Sequence, residues 1–132
     1  MGGNLALNLS PQPDGRIPVE ALGSLQGIGQ WLSTYGEAIY GTRVCAPYKK
    51  DDVAFTRKGD TVYALRLYTD EKPVSVEPVV SIPYPGAVSR VTLVDSGESL
   101  PFARTEAGLQ VTIPVCRRLG SAPIAMVFKL EQ

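Results

Sequence analysis

Apolar residues near the start of the chain recur at helical spacing. Those between Pro18 and Tyr35 lie three or four positions apart, which is the spacing of one helix face. They are Val19, Leu22, Leu25, Ile28, Leu32 and Tyr35, with Trp31 beside them. Pro18 suits the first helical position, and Gly36 suits the residue that follows the last turn. Glycines inside this stretch each weaken a free helix by about 1 kcal/mol relative to alanine, so the pattern predicts a helix over 18–35 that is docked on a neighbour.

A second pattern precedes this helix. Leu5, Leu7 and Leu9 alternate with Ala6 and Asn8, so both faces of the segment carry mostly small or apolar side chains. A period of two with both faces apolar is typical of a strand that is covered on both sides. The sequence therefore predicts a strand over Asn4–Ser10, and a strand of this kind needs partner strands.

The spacing of apolar residues changes from 3.6 to two after the segment "GEAIYGTRVCAPYKK", which we interpret as a connection. Two β-rich runs in "DVAFTRKGDTVYALRLY" flank Lys58-Gly59-Asp60, which is a hairpin signal. The buried face of the second run is either Val62, Ala64 and Leu67 or the alternate set, Tyr63 and Leu65.

Further short β-rich runs fill the rest of the chain, separated by Pro, Gly, Asp and Ser. They lie at 74–76, 79–82, 87–94, 100–104, 109–115 and 124–130. Seven or eight short strands with turns between them predict a mainly β fold, an antiparallel β-sandwich preceded by one strand-helix unit.

Composition excludes several classes of function. The chain has 132 residues, and its 13 basic and 13 acidic side chains cancel, so no nucleic acid or anionic membrane is indicated as a partner. No apolar stretch approaches the roughly 20 residues of a membrane span, and the first residues do not resemble a signal peptide. We expect a soluble protein without a targeting segment, and the native compartment is not encoded.

The inventory of reactive side chains is narrow. Histidine is absent, which removes the commonest general base and metal ligand. Cys45 and Cys116 form no C-x-x-C unit, and we expect both to be unpaired, reduced thiols. The sequence indicates neither a metal nor a cofactor.

The remaining candidates for a functional site are acidic and aromatic residues. Asp14, Glu37 and the pair Asp95 and Glu98 fit turn and surface roles better than a pair of catalytic carboxylates. Aromatic rings could also form a platform for a sugar, but at helical spacing they are more often core. The helical set is Trp31, Tyr35 and Tyr40, and the weaker, exposed candidates for a carbohydrate contact are Tyr48, Tyr68 and Tyr84.

The order of several short motifs resembles the C-terminal portion of the α-L-fucosidases of glycoside hydrolase family 29. The resemblance covers about the first half of the chain, and beyond about Val74 only the β pattern agrees. The matching stretches are Gly3-Asn4-Leu5, Leu7-Asn8, Ser10-Pro11, Asp14-Gly15, Ile17-Pro18, Ile28-Gly29, Trp31-Leu32, the segment Gly36 to Thr42, Thr56, Lys58-Gly59 and Val62-Tyr63-Ala64.

This resemblance implies a catalytic (β/α)₈-like barrel followed by a β-sandwich. Residues 1–42 would then be the last strand and helix of the barrel, and residues 43–132 the sandwich. The Asp nucleophile, the Glu acid/base and the fucose-binding His residues of the family come from earlier strands, so no catalytic residue is assigned in this chain. Asn8 and Ser10 would lie near the barrel mouth, where they are weak candidates for substrate contact.

Three functions are compatible with these observations. The leading one is a C-terminal fragment of a retaining α-L-fucosidase that acts on fucosylated glycans. This fragment would be inactive alone, would have the missing catalytic barrel as its partner, and could self-associate through residues 1–42. The alternatives are a free-standing carbohydrate-binding module and, less favoured, a complete small enzyme that uses carboxylates.

Overall fold

The one α-helix among the described residues, α1, spans Val19–Tyr35, so the predicted helix is confirmed and begins one residue later than expected. The computed structural model describes residues 3–67, 79–94, 96–113 and 125–132. Pro18 is the N-cap, with φ −56° and ψ 144°, values outside the helical region. At the other end the chain continues into a 3₁₀ helix, Gly36–Ala38, and Gly36 keeps a right-handed helical φ of −59°. The left-handed glycine lies later, at Gly41 with φ +68°.

The predicted strand at Asn4–Ser10 is not formed in this chain. Residues 3–12 have no regular secondary structure, and Leu5 and Leu7 are 90% and 60% exposed. A strand requires a neighbour that accepts and donates its backbone hydrogen bonds, and no strand among the described residues pairs with this segment.

Two antiparallel sheets make up the rest of the described fold. Their strands are β1 (Arg43–Lys50), β2 (Val53–Lys58), β3 (Thr61–Leu67), β4 (Val79–Ile82), β5 (Arg90–Leu93), β6 (Ser99–Leu100), β7 (Phe102–Thr105), β8 (Gly108–Thr112) and β9 (Ala125–Glu131). The larger sheet has the order β1-β2-β3-β9-β5-β6, and the smaller has the order β4-β8-β7. The predicted antiparallel sandwich is therefore confirmed.

The structure differs from the predicted strands in two places. The segment interpreted as a connection contains β1, which pairs with β2 through a register irregularity between Val44 and Lys49. The run at 100–104 is divided between β6 and β7, which belong to different sheets. The described part of the chain thus has nine strands, whereas seven or eight were expected. The predicted run at 74–76 lies outside the described residues.

The predicted hairpin joins β2 to β3. Lys58 is opposite Thr61, so Gly59 and Asp60 form a two-residue turn, and Gly59 has φ +60°. Positive φ values are the reason why glycine is favoured in such turns.

Both candidate faces of β3 are buried. Val62 and Ala64 face the interior between the two sheets, where they join the main core with Phe128 and Leu130 of β9. Tyr63 and Leu65 point to the opposite face, where a second core is formed with the helix layer. The predicted place of Leu67 beside Val62 and Ala64 is wrong: it packs on this second core, because residues an odd number of positions apart point to opposite faces of a strand. The molecule therefore has three layers, in the order helix, six-stranded sheet, three-stranded sheet.

Candidate functional site

The outer face of the six-stranded sheet holds the C-terminal end of α1. Tyr35 and Ala38 are buried there together with Tyr63, Leu65 and Val127, and Trp31 packs against this cluster. The rings of Trp31 and Tyr35 lie 5.2 Å apart between centroids. Successive side chains of a strand point to opposite faces, so Tyr63 and Leu65 of β3 lie on the same face of the sheet as Val127 of β9. The apolar side chains at the C-terminal end of α1 pack on this face.

Polar contacts join the helix layer to the same sheet. The indole Nε1 of Trp31 donates to the carbonyl oxygen of Ala125 at 3.2 Å. The hydroxyl of Thr56 donates to the carbonyl oxygen of Ala38 at 2.6 Å. These bonds orient the C-terminal end of α1 and the 3₁₀ helix relative to β2 and β9.

The third polar contact is a cluster around Glu37. The Tyr63 hydroxyl donates to Glu37 Oε2 at 2.9 Å, and Lys129 Nζ lies 3.7 Å from the same oxygen. Burial and the hydrogen-bonded Glu37 carboxylate raise the pKa of Tyr63 to about 12, because both disfavour the phenolate. Tyr63 therefore stays protonated at neutral pH and acts as a donor.

The predicted carboxylate candidates do not converge. Glu37 is held by Tyr63 and Lys129. Asp14 accepts a hydrogen bond of 3.0 Å from the backbone N–H of Arg16, so it stabilises the turn before the helix. Glu98 follows β5, where its carbonyl oxygen accepts from the backbone N–H of Leu93. Asp95 lies outside the described residues.

The aromatic candidates are divided between core and surface. Trp31 and Tyr35 are core residues, as favoured from their spacing. The expected exposure of Tyr84 is wrong, because it is 7% exposed and its ring lies 5.9 Å from that of Phe55 in the main core. The core role favoured for Tyr40 is wrong, because this residue follows the end of the helix and is 59% exposed, whereas Tyr48 is exposed as expected, at 44%. Tyr68 lies outside the described residues.

Asn8 and Ser10, the candidates for contact with substrate, are exposed in the segment that precedes the helix. Their proximity to a barrel mouth remains a prediction.

The surface of the described residues includes three clefts of different volume. The first, of about 770 Å³, separates residues 3–5 from β1 and is lined by Leu32, Val44 and Tyr48 among others. The second, of about 700 Å³, lies beside the end of α1 and contains Glu37, Tyr40 and Lys58. The third, of about 300 Å³, lies at the turn that joins β7 to β8. None of the three is lined by two carboxylates, so they contain no acid pair of the kind that glycoside hydrolysis requires.

Cys45 is a buried free thiol in β1. Burial raises the pKa of this thiol, and the guanidinium of Arg57 partly opposes the effect. A raised pKa and low exposure make a thiol unreactive. Cys116 lies outside the described residues.

Two further properties of the described residues concern metal ions and bilayers. Within them no three His, Cys, Asp or Glu side chains come close enough to hold a metal ion. Of the described helices, none has the length and apolar character required to cross a bilayer.

Comparison with known proteins gives a consistent result. The family model described as Alpha-L-fucosidase matches residues 1–37. An α-L-fucosidase of Branchiostoma floridae is 32% identical over 86% of this chain and 25% of its own length, and the tissue α-L-fucosidase of Homo sapiens is 31% identical over the same shares. The crystal structure of Thermotoga maritima α-fucosidase, in complex with a mechanism-based inhibitor, superposes with a TM-score of 0.80 and 32% identity, over 98% of this chain and 30% of that one.

The fold and these matches define a segment of a glycoside hydrolase. The chain belongs to the α-L-fucosidase family and corresponds to the C-terminal portion of such an enzyme, which confirms the resemblance found in the sequence. It spans about a quarter of the length of the relatives described above.

Proposed function

We propose that the whole protein to which this chain belongs removes terminal α-L-fucose from glycans with retention of configuration. The observation that carries this proposal is the match of nearly the whole chain, at a TM-score of 0.80, to only 30% of an α-fucosidase. Retention requires a nucleophile and an acid/base about 5–5.5 Å apart. In this proposal both carboxylates belong to the part of the enzyme that corresponds to the unmatched share, about 70%, of the relative.

We further propose that residues 1–42 complete the catalytic barrel and that residues 43–132 form the supporting sandwich. The family model matches only the N-terminal segment and the helix, and β1 begins at Arg43. A helix between the two domains should have apolar residues on two sides. Trp31 and Tyr35 cover the sheet, whereas Leu22 and Ile28 are 41% and 44% exposed and available to barrel strands.

The exposed apolar residues before and along α1 also support self-association of the chain when the barrel is absent. Leu5 and Leu7 in the N-terminal segment are 90% and 60% exposed, in addition to Leu22 and Ile28 of the helix. Exposed apolar surface favours association in water, and a second copy of the chain would cover it. The alternative of a free-standing carbohydrate-binding module gains no support from the comparisons.

The test is an assay with an aryl α-L-fucoside. The purified chain is expected to release no aglycone above the uncatalysed rate, since it lacks the carboxylate pair. The polypeptide encoded by the complete gene is expected to hydrolyse the same substrate and to release the α anomer of fucose first. Turnover by the chain alone, or none by the complete polypeptide, would contradict the proposal.

A further inference from the structure

The second cleft, of about 700 Å³, lies between the last turns of α1 and the turn that joins β2 to β3. Its volume lies within the range of roughly 300–1,000 Å³ of small-ligand sites, but the cleft is shallow and open to solvent. The cleft contains no residue of the segment 3–17, and of the residues that line it only Leu32 also lines the first cleft.

Tyr40 supplies the aromatic ring. At 59% exposure it is the most exposed aromatic side chain among the described residues. Its ring lies directly over Gly36, where a Cβ would be 2.5 Å from Tyr40 Cε2. The absence of a side chain at Gly36 thus lets the ring rest on the backbone while the rest of the ring stays open to water.

Polar groups of both signs surround this ring. Both contacts of Glu37 use Oε2, and within the described residues Oε1 has no hydrogen bond or ion pair and remains free to accept. Lys58 lies across the cleft and forms no ion pair with a described residue. Ser33 and Thr34 add hydroxyl groups on the helix side.

This set of groups selects a chemical class of ligand. The lining carries one carboxylate, Glu37, and one ammonium group, Lys58. Lys129 beside Glu37 is itself paired with Glu131, so the charges balance and the cleft favours neither an anion nor a cation. Hydroxyl-rich ligands can donate to the carboxylate and accept from the ammonium group. The C–H face of a sugar ring can pack on the aromatic ring through dispersion and weak C–H contacts.

We propose that the Tyr40 cleft binds a neutral sugar unit of a fucosylated glycan, with the Tyr40 ring as the platform, Glu37 Oε1 as an acceptor and Lys58 as a donor. The identity of the glycan rests on the proposed function of the whole enzyme. The site requires no residue outside this chain.

The experiment measures binding of 2′-fucosyllactose, with lactose as a second probe, to the intact chain by ligand-observed saturation-transfer NMR. Saturable binding in the millimolar range is expected, which corresponds to about −4 kcal/mol. Tyr40→Ala is expected to weaken binding at least about tenfold, and Lys58→Met severalfold, whereas Tyr40→Phe should preserve it because the ring is kept. Tyr48→Ala is the matched control, since Tyr48 is exposed outside this cleft.

Each outcome bears directly on the proposal. Tyr40 and Lys58 are exposed, so circular dichroism should show that these variants fold normally. The proposal is overturned if neither sugar binds, or if Tyr40→Ala binds as well as the unaltered chain. Equal binding of lactose and 2′-fucosyllactose would assign the site to the sugars beyond fucose. The fucosidase assay is independent of this measurement, so failure of one does not imply failure of the other.

Discussion

The Tyr63 hydroxyl donates a hydrogen bond of 2.9 Å to Glu37 Oε2 and so joins the 3₁₀ helix to the outer face of the six-stranded sheet. The two residues belong to different layers and, in our proposal, to different domains of the parent enzyme. Tyr63 is only 3% exposed, so loss of Glu37 leaves its hydroxyl in a largely apolar contact, whereas the Glu37 side chain is 44% exposed and keeps Lys129 as a neighbour.

We expect Tyr63→Phe and Glu37→Ala each to lower the free energy of unfolding by about 1–3 kcal/mol, the usual cost of breaking a hydrogen bond to a charged group. Urea unfolding followed by fluorescence suits this measurement, because Trp31 is the single tryptophan and lies at the same contact. Tyr48→Phe, at an exposed position, is the control. Unchanged stability in both variants would show that the bond is not stabilising.

Stability should depend on alkaline pH through Tyr63. Its pKa rises from 10.0 to about 12 in the folded state, so the folded chain retains the phenolic proton longer than the unfolded chain. This contribution, on the order of 2 kcal/mol, is fully present below pH ~10 and is lost as the pH rises through ~12. The measurement is the difference in unfolding free energy between the unaltered chain and Tyr63→Phe from pH 8 to 12. A difference that stays constant over this range would refute the assignment.

Substitution of alanine for glycine should affect the free energy of unfolding strongly at Gly108 and weakly at Gly36. Gly108 has φ +129°, and a Cβ there would clash with the carbonyl oxygen of Ile82 and lie 2.8 Å from Pro83 Cα. We expect Gly108→Ala to cost about 2 kcal/mol or more, since backbone strain and a steric clash add. Gly36 has a helical φ and meets only the exposed Tyr40 ring, so Gly36→Ala should change stability by less than ~1 kcal/mol. Thermal unfolding of both variants makes the comparison.

Self-association should depend on the exposed side of α1. Light scattering of the intact chain is expected to show dimers or larger species, and Leu22→Ser combined with Ile28→Ser should shift them towards monomer because it removes apolar surface. Gln26→Ser with Gln30→Ser is the control on the same helix. Removal of residues 1–42 is less decisive, since it also uncovers Tyr63. A monomeric intact chain at high concentration would contradict the expectation.

Both cysteines are expected to be reduced. Denatured, unreduced protein should therefore react with two equivalents of a thiol reagent, and fewer than two would indicate a disulfide. In the folded chain Cys45 should react slowly, because it is buried and its pKa is raised. The ratio of folded to unfolded reaction rates checks this second point.

Several features of the fold could be predicted from the local spacing of apolar residues and from the residues preferred in turns. The helix over Val19–Tyr35, the hairpin turn at Gly59 and the antiparallel sandwich follow from residue spacing and from glycine's access to positive φ. The order of motifs in the first half of the chain was sufficient for the family. All of these depend on residues that are close in sequence.

Tertiary structure decided the features that depend on which surfaces meet. Both faces of β3 are buried because the helix covers one and the second sheet covers the other. The alternation of residues within one strand does not predict that both faces are packed against other elements. Tyr84 is buried by packing on Phe55, which is distant in sequence. The sequence predicts a surface role for Glu37, whereas in the fold its carboxylate contacts Tyr63 and Lys129. The strand predicted at Asn4–Ser10 did not form, because periodicity records a preference and only a neighbouring strand can supply its hydrogen bonds.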